Sequence, residues 1–259
     1  MRERPRDPWL SLAALTPARI ALGRAGASLP TREVLSFALA HAQARDAVHA
    51  GLDRPALARS LAALGLATVE VESEADGRDR YLARPDLGRR LAAPSRERLE
   101  SLAHAPCDLC LMVGDGLSAT AVAEHSPALI GAFLPHAARL GLKLAAVVIA
   151  RGARVALGDD VALTLNARAV AVLIGERPGL SAADSLGIYL TYGARPGMTD
   201  AQRNCISNVR PLGLAPSEAA ARLAWLVEAA LSRGITGVDL KDESDALSHA
   251  AAEAPTLPR

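Results

Sequence analysis

Four stretches of this chain hold residue types and spacings that could do chemistry. In the first, Val113-Gly114-Asp115-Gly116-Leu117-Ser118-Ala119, Gly114 to Ala119 spells G-x-G-x-x-A, the loose form of a dinucleotide fingerprint. Between a strand and a helix, such a turn offers backbone N–H groups to a pyrophosphate. Asp115 would set a negative charge beside that pyrophosphate. Arg151, not an acid, stands where a ribose-binding carboxylate would end the next strand. The competing reading is a tight strand-to-helix turn with Ser118 as the helix cap. The second stretch, Gly175-Glu176-Arg177-Pro178-Gly179-Leu180-Ser181, follows a long apolar run. A carboxylate there can accept strong hydrogen bonds from ligand amides, or pair with Arg177 or another arginine. The third, Arg203-Asn204-Cys205-Ile206-Ser207-Asn208, packs small polar residues without a regular period, as a structured loop does. Cys205 is either a small buried side chain or a nucleophile, and no histidine lies near it in sequence to serve as a base. The fourth, His41 to His49, sets His41, Arg45 and His49 on one helix face. The two histidines are two turns apart, beyond the i, i+4 spacing of a helical metal pair, so a solvated or partner-facing stripe is expected.

Composition narrows the function classes. The 259 residues suit one large domain, or one with an appendage, with a core that needs no staples. Half the residues are hydrophobic and 22% are charged, which excludes a disordered chain. Basic and acidic residues balance at 29 to 28, so no basic surface argues for nucleic acid. At 3%, aromatic residues are too few for a stacking platform. Cys107 and Cys110 form a C-x-x-C inside an apolar run. No second pair completes a zinc site, so buried strand cysteines are expected. The longest apolar runs, 142–150 and 169–175, fall short of the ~20 residues that span a membrane. The N-terminal apolar stretch is too short and polar for a signal peptide.

These candidates need elements to position them. Residues 1–100 read as a helical region. One helix covers Arg32 to Ala50, with Val34, Leu35, Phe37, Ala38, Leu39, Ala42 and Val48 as its apolar face, and a second covers Arg54 to Leu64. Ala67 to Glu72 alternates as a strand. Arg80 to Ala83 could return as its hairpin partner, and Pro85 to Leu91 starts a short helix. From 101 to 241 the apolar runs Cys107–Val113, Leu144–Ala150, Ala169–Ile174 and Leu186–Tyr192 alternate with helical stretches, as in a parallel sheet covered on both faces. The intervening helices are expected at Ser118 to Leu140, broken near Pro127 and Pro135, at Asp159 to Asn166, and at Pro216 to Arg233. Residues 242–259 read as a frayed tail. The fold class expected is α/β: a Rossmann-like, mostly parallel sheet with helices on both faces, behind a smaller helical region.

An ordered set of segments resembles one family, the small subunit of ethanolamine ammonia-lyase. The segments are Leu15 to Gly26, with its Thr16-Pro17-Ala18-Arg19, then His41 to His49, Tyr81 to Arg90, Asp115 to Ser118, Arg154 to Asp159, Ile174 to Ser181 and Arg203 to Asn208. The resemblance implies a partner, a larger (β/α)8-barrel subunit that binds most of the ethanolamine. It implies adenosylcobalamin as cofactor and conversion of ethanolamine to acetaldehyde and ammonia by a radical route. The corrin would lie between the subunits, with the Rossmann-like domain of this chain beneath it. The family's cobalamin contacts map to Val155, Glu176 and Cys205. No catalytic residue and no metal ligand falls on this chain. The family keeps the cofactor's own base on cobalt, in agreement with the absence of a cobalt-binding histidine motif at Asp115 to Ser118. Fifteen residues precede Thr16, fewer than in many members whose longer N-terminal region is associated with microcompartments. The location implied is the cytoplasm, with a bacterial microcompartment as the alternative. Two rival readings stand beside this one: an NADP-linked oxidoreductase built on Gly114 to Ala119 with Arg151 near a 2′-phosphate, and an interaction subunit that touches no cofactor.

Overall fold

A computed structural model describes residues 7–102 and 105–244. Residues 245–259 of the expected tail lie outside the described residues. The helices are α1 (Leu10–Ala13), α2 (Thr31–His49), α3 (Arg54–Ala62), α4 (Arg78–Ala83), α5 (Ala93–Glu100), α6 (Ala119–Arg139), α7 (Leu157–Thr164) and α8 (Pro216–Arg233). The strands are β1 (Thr68–Glu72), β2 (Cys107–Gly114), β3 (Val147–Arg151), β4 (Ala167–Gly175), β5 (Leu186–Tyr192) and β6 (Asn204–Val209). No helix among the described residues is long and apolar enough to cross a membrane.

The strands form one mixed sheet in the order β1-β3-β2-β4-β5-β6. The first four are parallel, while β5 runs antiparallel to β4 and β6 antiparallel to β5. The protein is therefore α/β, but the sheet is only partly parallel. Chain length between strands explains the change. A parallel connection needs a crossover of a dozen or more residues. Helices supply such crossovers up to β4, but the links after β4 and β5 carry no α-helix. Continuous burial along β2 and β4 follows from helices on both faces. Leu57 and Leu61 of α3, Leu129, Ile130 and Phe133 of α6, and Leu223 and Leu226 of α8 fill one core layer. Leu99 of α5 and Leu157 and Val161 of α7 fill the other.

Several local expectations give way. Arg80 to Ala83 is not a hairpin strand but part of α4. Its Tyr81 is buried at 1% exposure, while β1 satisfies its backbone against β3 instead. The helix expected at Pro85 to Leu91 shrinks to a 3-10 turn at Leu87–Arg89. α6 runs unbroken through Pro127 and Pro135. Each proline removes one helical hydrogen bond, but Val122, Leu129, Ile130, Phe133 and Ala137 keep one continuous face in the core across both positions. Arg203 to Asn208 is mostly strand, completing the sheet edge as β6. The apolar residues of α2 do not form a core face. Only Ala44 and Ala47 are buried, and Leu35 and Leu39 are exposed at 63% and 61%.

Candidate functional site

The loops after β2, β3 and β4 meet at the carboxyl edge of the sheet, where open α/β sheets admit ligands. They enclose a cleft of about 390 Å³ lined by Tyr81, Gly116, Leu117, Arg154, Val155, Ile174, Gly175, Glu176, Arg177 and Tyr189. Two of the three expected contacts, Val155 and Glu176, thus line one cleft, although 21 positions of sequence separate them. Cys205 is not among the lining residues. It stands one strand away, paired in register with Tyr189.

Glu176 is held by hydroxyls and backbone. Its Oε2 accepts from Ser185 Oγ at 2.5 Å and from the Asn208 N–H at 3.2 Å, and its Oε1 accepts from Ser207 Oγ at 2.6 Å. Arg177, the ion-pair partner weighed for it, is exposed. Three donors leave about one of the roughly four acceptor positions of a carboxylate open. Gly187 makes the arrangement possible, because a Cβ there would stand 2.9 Å from Glu176 Oε1.

The glycine turn resolves in favour of the tight-turn reading. Asp115 points inward. Its Oδ1 accepts from the N–H groups of Gly116 and Ala153, both at 2.9 Å, and its Oδ2 from that of Gly152, also at 2.9 Å. Burial pushes this carboxyl up, against the pull of those N–H groups and of Arg78. The carboxylate stitches the β2 loop to the β3 loop that carries Val155. On the other side the Leu117 N–H donates to the Gly175 carbonyl at 2.9 Å. A Cβ on Gly116 would collide with the Gly175 carbonyl, and one on Gly175 with the Ser118 backbone. Ser118 caps α6 by accepting from the Ala121 N–H at 3.2 Å, as expected, and donates to the Ala183 carbonyl at 2.8 Å. The space a pyrophosphate would need is filled by the β4 loop and the Asp115 carboxylate. Arg151 is engaged with Glu72 at 3.4 Å. The geometry therefore removes the basis of the NADP reading.

Tyr81, Arg154 and Tyr189 belong to the site and were not singled out from sequence. The guanidinium groups of Arg154 and Arg78 lie over the Tyr81 ring, 4.1 and 4.8 Å from its centroid. Its hydroxyl donates to the Ala153 carbonyl at 3.1 Å, and burial pushes it up to about 12. Arg154 donates to the Tyr81 carbonyl at 3.1 Å, while its buried Nε has no hydrogen-bond partner among the described residues. Both residues stand inside segments that carry the family resemblance, which was the available signal. Tyr189 is raised well above the ordinary phenol range by burial and the neighbouring Cys205. The Cys205 thiol is itself raised by burial and by the Glu176 charge, although the residue is exposed at the sheet edge. A thiol held protonated is a poor nucleophile. Cys107 and Cys110 are buried on β2. Three positions apart on a strand, they point to opposite faces and cannot act as a redox pair. His41, Arg45 and His49 are all exposed on α2.

The fold and cleft define an α/β protein whose sheet edge carries a cleft lined by an acceptor, a cation and close-packed backbone. The ethanolamine ammonia-lyase light chain (EutC) family matches residues 6–241, and the chain belongs to that family. It is 57% identical over 241 residues to the ethanolamine ammonia-lyase small subunit of Bradyrhizobium diazoefficiens, covering 93% of this chain and 92% of that one. The small subunit of Xanthomonas campestris pv. campestris is 53% identical over 244 residues, 93% of this chain and 90% of its own. That of Ralstonia nicotianae is 51% identical over 254 residues, 97% of this chain and 91% of its own.

Proposed function

We propose that this chain is the cofactor-bearing small subunit of an adenosylcobalamin-dependent ethanolamine ammonia-lyase. It would work with a large catalytic subunit to turn ethanolamine into acetaldehyde and ammonia. The observation that carries this reading is the convergence of Val155 and Glu176 on one sheet-edge cleft, with Cys205 one strand away. The residues present fit a corrin edge. Leu117, Val155 and Ile174 offer apolar contact, Gly116 and Gly175 allow close approach of backbone, and Glu176 keeps an acceptor for a rim amide. The unpartnered Nε of Arg154 is a donor of the opposite sense. When bound, the cofactor supplies the radical chemistry, and the protein supplies placement and electrostatics.

On this chain the roles are to bind and to orient. Glu176 fixes the rim, Val155 packs beneath it, and Tyr189 closes the side of the cleft, with Cys205 beside it on the next strand. The ring itself would extend beyond a cleft of this size and into a partner, in keeping with the small-subunit names of the relatives. The exposed apolar face of α2, with Leu35 and Leu39, supports docking to that partner. The test is reconstitution. Mixed with the large subunit and adenosylcobalamin, the chain should co-elute as a coloured complex that forms acetaldehyde, while the chain alone forms none. Acetaldehyde from the isolated chain, or a complex that does not retain the cofactor, would overturn the reading.

A further inference from the structure

We infer that Glu124, His125 and Asp184 form a binding site for a divalent cation of the zinc class, separate from the cofactor cleft. His125 lies on α6 with only 8% of its side chain exposed, and its Nε2 has no hydrogen-bond partner among the described residues. Burying a polar nitrogen without a partner is costly, so its surroundings call for explanation. That nitrogen points between two carboxylates, 3.6 Å from Asp184 Oδ2 and 3.8 Å from Glu124 Oε2. Both separations exceed a hydrogen bond, which ends near 3.2 Å for N–H···O. They are close to the edge of a tetrahedral site. With metal–ligand bonds of 2.0–2.2 Å, neighbouring ligands stand roughly 3.4 Å apart. One ligand atom from each residue lies within 4.8 Å of the others, so a contraction of an ångström or so brings all three to bonding distance.

The surroundings suit a cation. Arg210 donates to the other oxygen of Asp184 at 3.1 Å, which leaves Oδ2 free to ligate and fixes the carboxylate plane. One imidazole with two carboxylates matches zinc or manganese better than calcium or magnesium, which favour all-oxygen shells. The site joins α6 to the loop between β4 and β5. Asp184 precedes Ser185, whose hydroxyl reaches Glu176. A bound ion would therefore clamp the loop that shapes the cofactor cleft, although the site itself does not depend on the cofactor reading.

The test is titration of Zn²⁺ into the chelator-treated full-length chain by calorimetry, with melting curves in parallel. Wild type should bind one ion at this site and melt at a higher temperature with Zn²⁺ present. Glu124→Gln, whose side chain is 55% exposed and therefore tolerant of change, should lose at least tenfold in affinity for that site. His125→Gln should abolish it. Cys205→Ser and His41→Ala, which alter metal-binding side chains elsewhere, should leave it intact. If His125→Gln does not fold, Glu124→Gln alone decides. No saturable binding, or equal binding by wild type and Glu124→Gln, would overturn the proposal and leave His125 as a buried side chain between two carboxylates.

Discussion

Glu176 offers the sharpest test of the cofactor reading, because the structure states what each substitution removes. The carboxylate accepts from Ser185 and Ser207 hydroxyls and from the Asn208 N–H. Glu176→Gln can keep all three. Its amide oxygen would face Ser185 and the fixed Asn208 donor, and its NH2 would face Ser207, whose hydroxyl can turn to accept. The charge is lost, and the acceptor left open at Oε1 becomes a donor, to which a rim amide can still turn its carbonyl. Glu176→Ala strands three donors and removes the acceptor offered to a rim amide. A hydrogen bond to a charged group contributes about 1.5–3 kcal/mol net. At about 1.4 kcal/mol per decade, Glu176→Ala should weaken adenosylcobalamin binding by roughly ten- to a hundredfold, and Glu176→Gln by less. The assay is cofactor titration into reconstituted complexes, with thermal melting of the isolated small subunit as control. Ser207→Ala separates direct contact from loop support, since it loosens the carboxylate without removing it. Its affinity should stay within a few-fold of wild type. Equal affinities for wild type, Glu176→Gln and Glu176→Ala, with melting temperatures lowered, would refute the argument and reduce Glu176 to a brace between β4 and β6.

Three further outcomes follow from the geometry. Gly175→Ala places a methyl against the Ser118 backbone, which no flexible side chain can relieve, and should destabilise the chain by about 1–3 kcal/mol or more in denaturant melts. Asp108 accepts from the Lys143 N–H at 3.0 Å and from Arg168 at 3.1 Å, which hold its carboxyl below the usual carboxylate range. Its contribution to stability is present above an unfolded value near 3.8 and lost as pH falls through the lower folded value. Asp108→Asn should therefore flatten the acid limb of a melting-temperature–pH profile while changing little in its slope above pH 6. On α2, Leu35→Asp and Arg45→Glu alter exposed positions. Each should weaken co-purification with the large subunit and leave the circular dichroism of the small subunit unchanged.

What could be read from the sequence depended on the range of the interactions that decide each element. Near-continuous apolar runs announced β2 and β4 because helices cover both faces, and Gly234 ended α8 in the left-handed conformation its residue type allows. Tyr81 misled, because aromatic propensity favours a strand while long-range contacts to Arg154 and the Ala153 carbonyl hold it on a helix. β6 was hidden for a related reason. An edge strand beside an open cleft buries little, so Asn204 to Val209 carries no alternating apolar pattern. The Ser185 and Ser207 contacts to Glu176 span 9 and 31 positions, and no periodicity encodes such a partner.

The turn at Gly114 to Ala119 shows how one local signature can serve two functions. In a dinucleotide site, glycines clear space so that a ligand anion can reach backbone N–H groups. Here glycine clears space for the protein's own backbone, and the anion is Asp115, carried on the turn itself. Three N–H groups, from Gly116, Gly152 and Ala153, converge on that carboxylate. Such convergence on an anion is the chemistry the fingerprint advertises, but it is satisfied within the chain. The acidic residue that argued against a pyrophosphate from sequence is thus the residue that takes its place. A loop locked in this way holds Val155 in place beside Glu176, and the preorganisation that the proposed cofactor site calls for is thereby built into the turn.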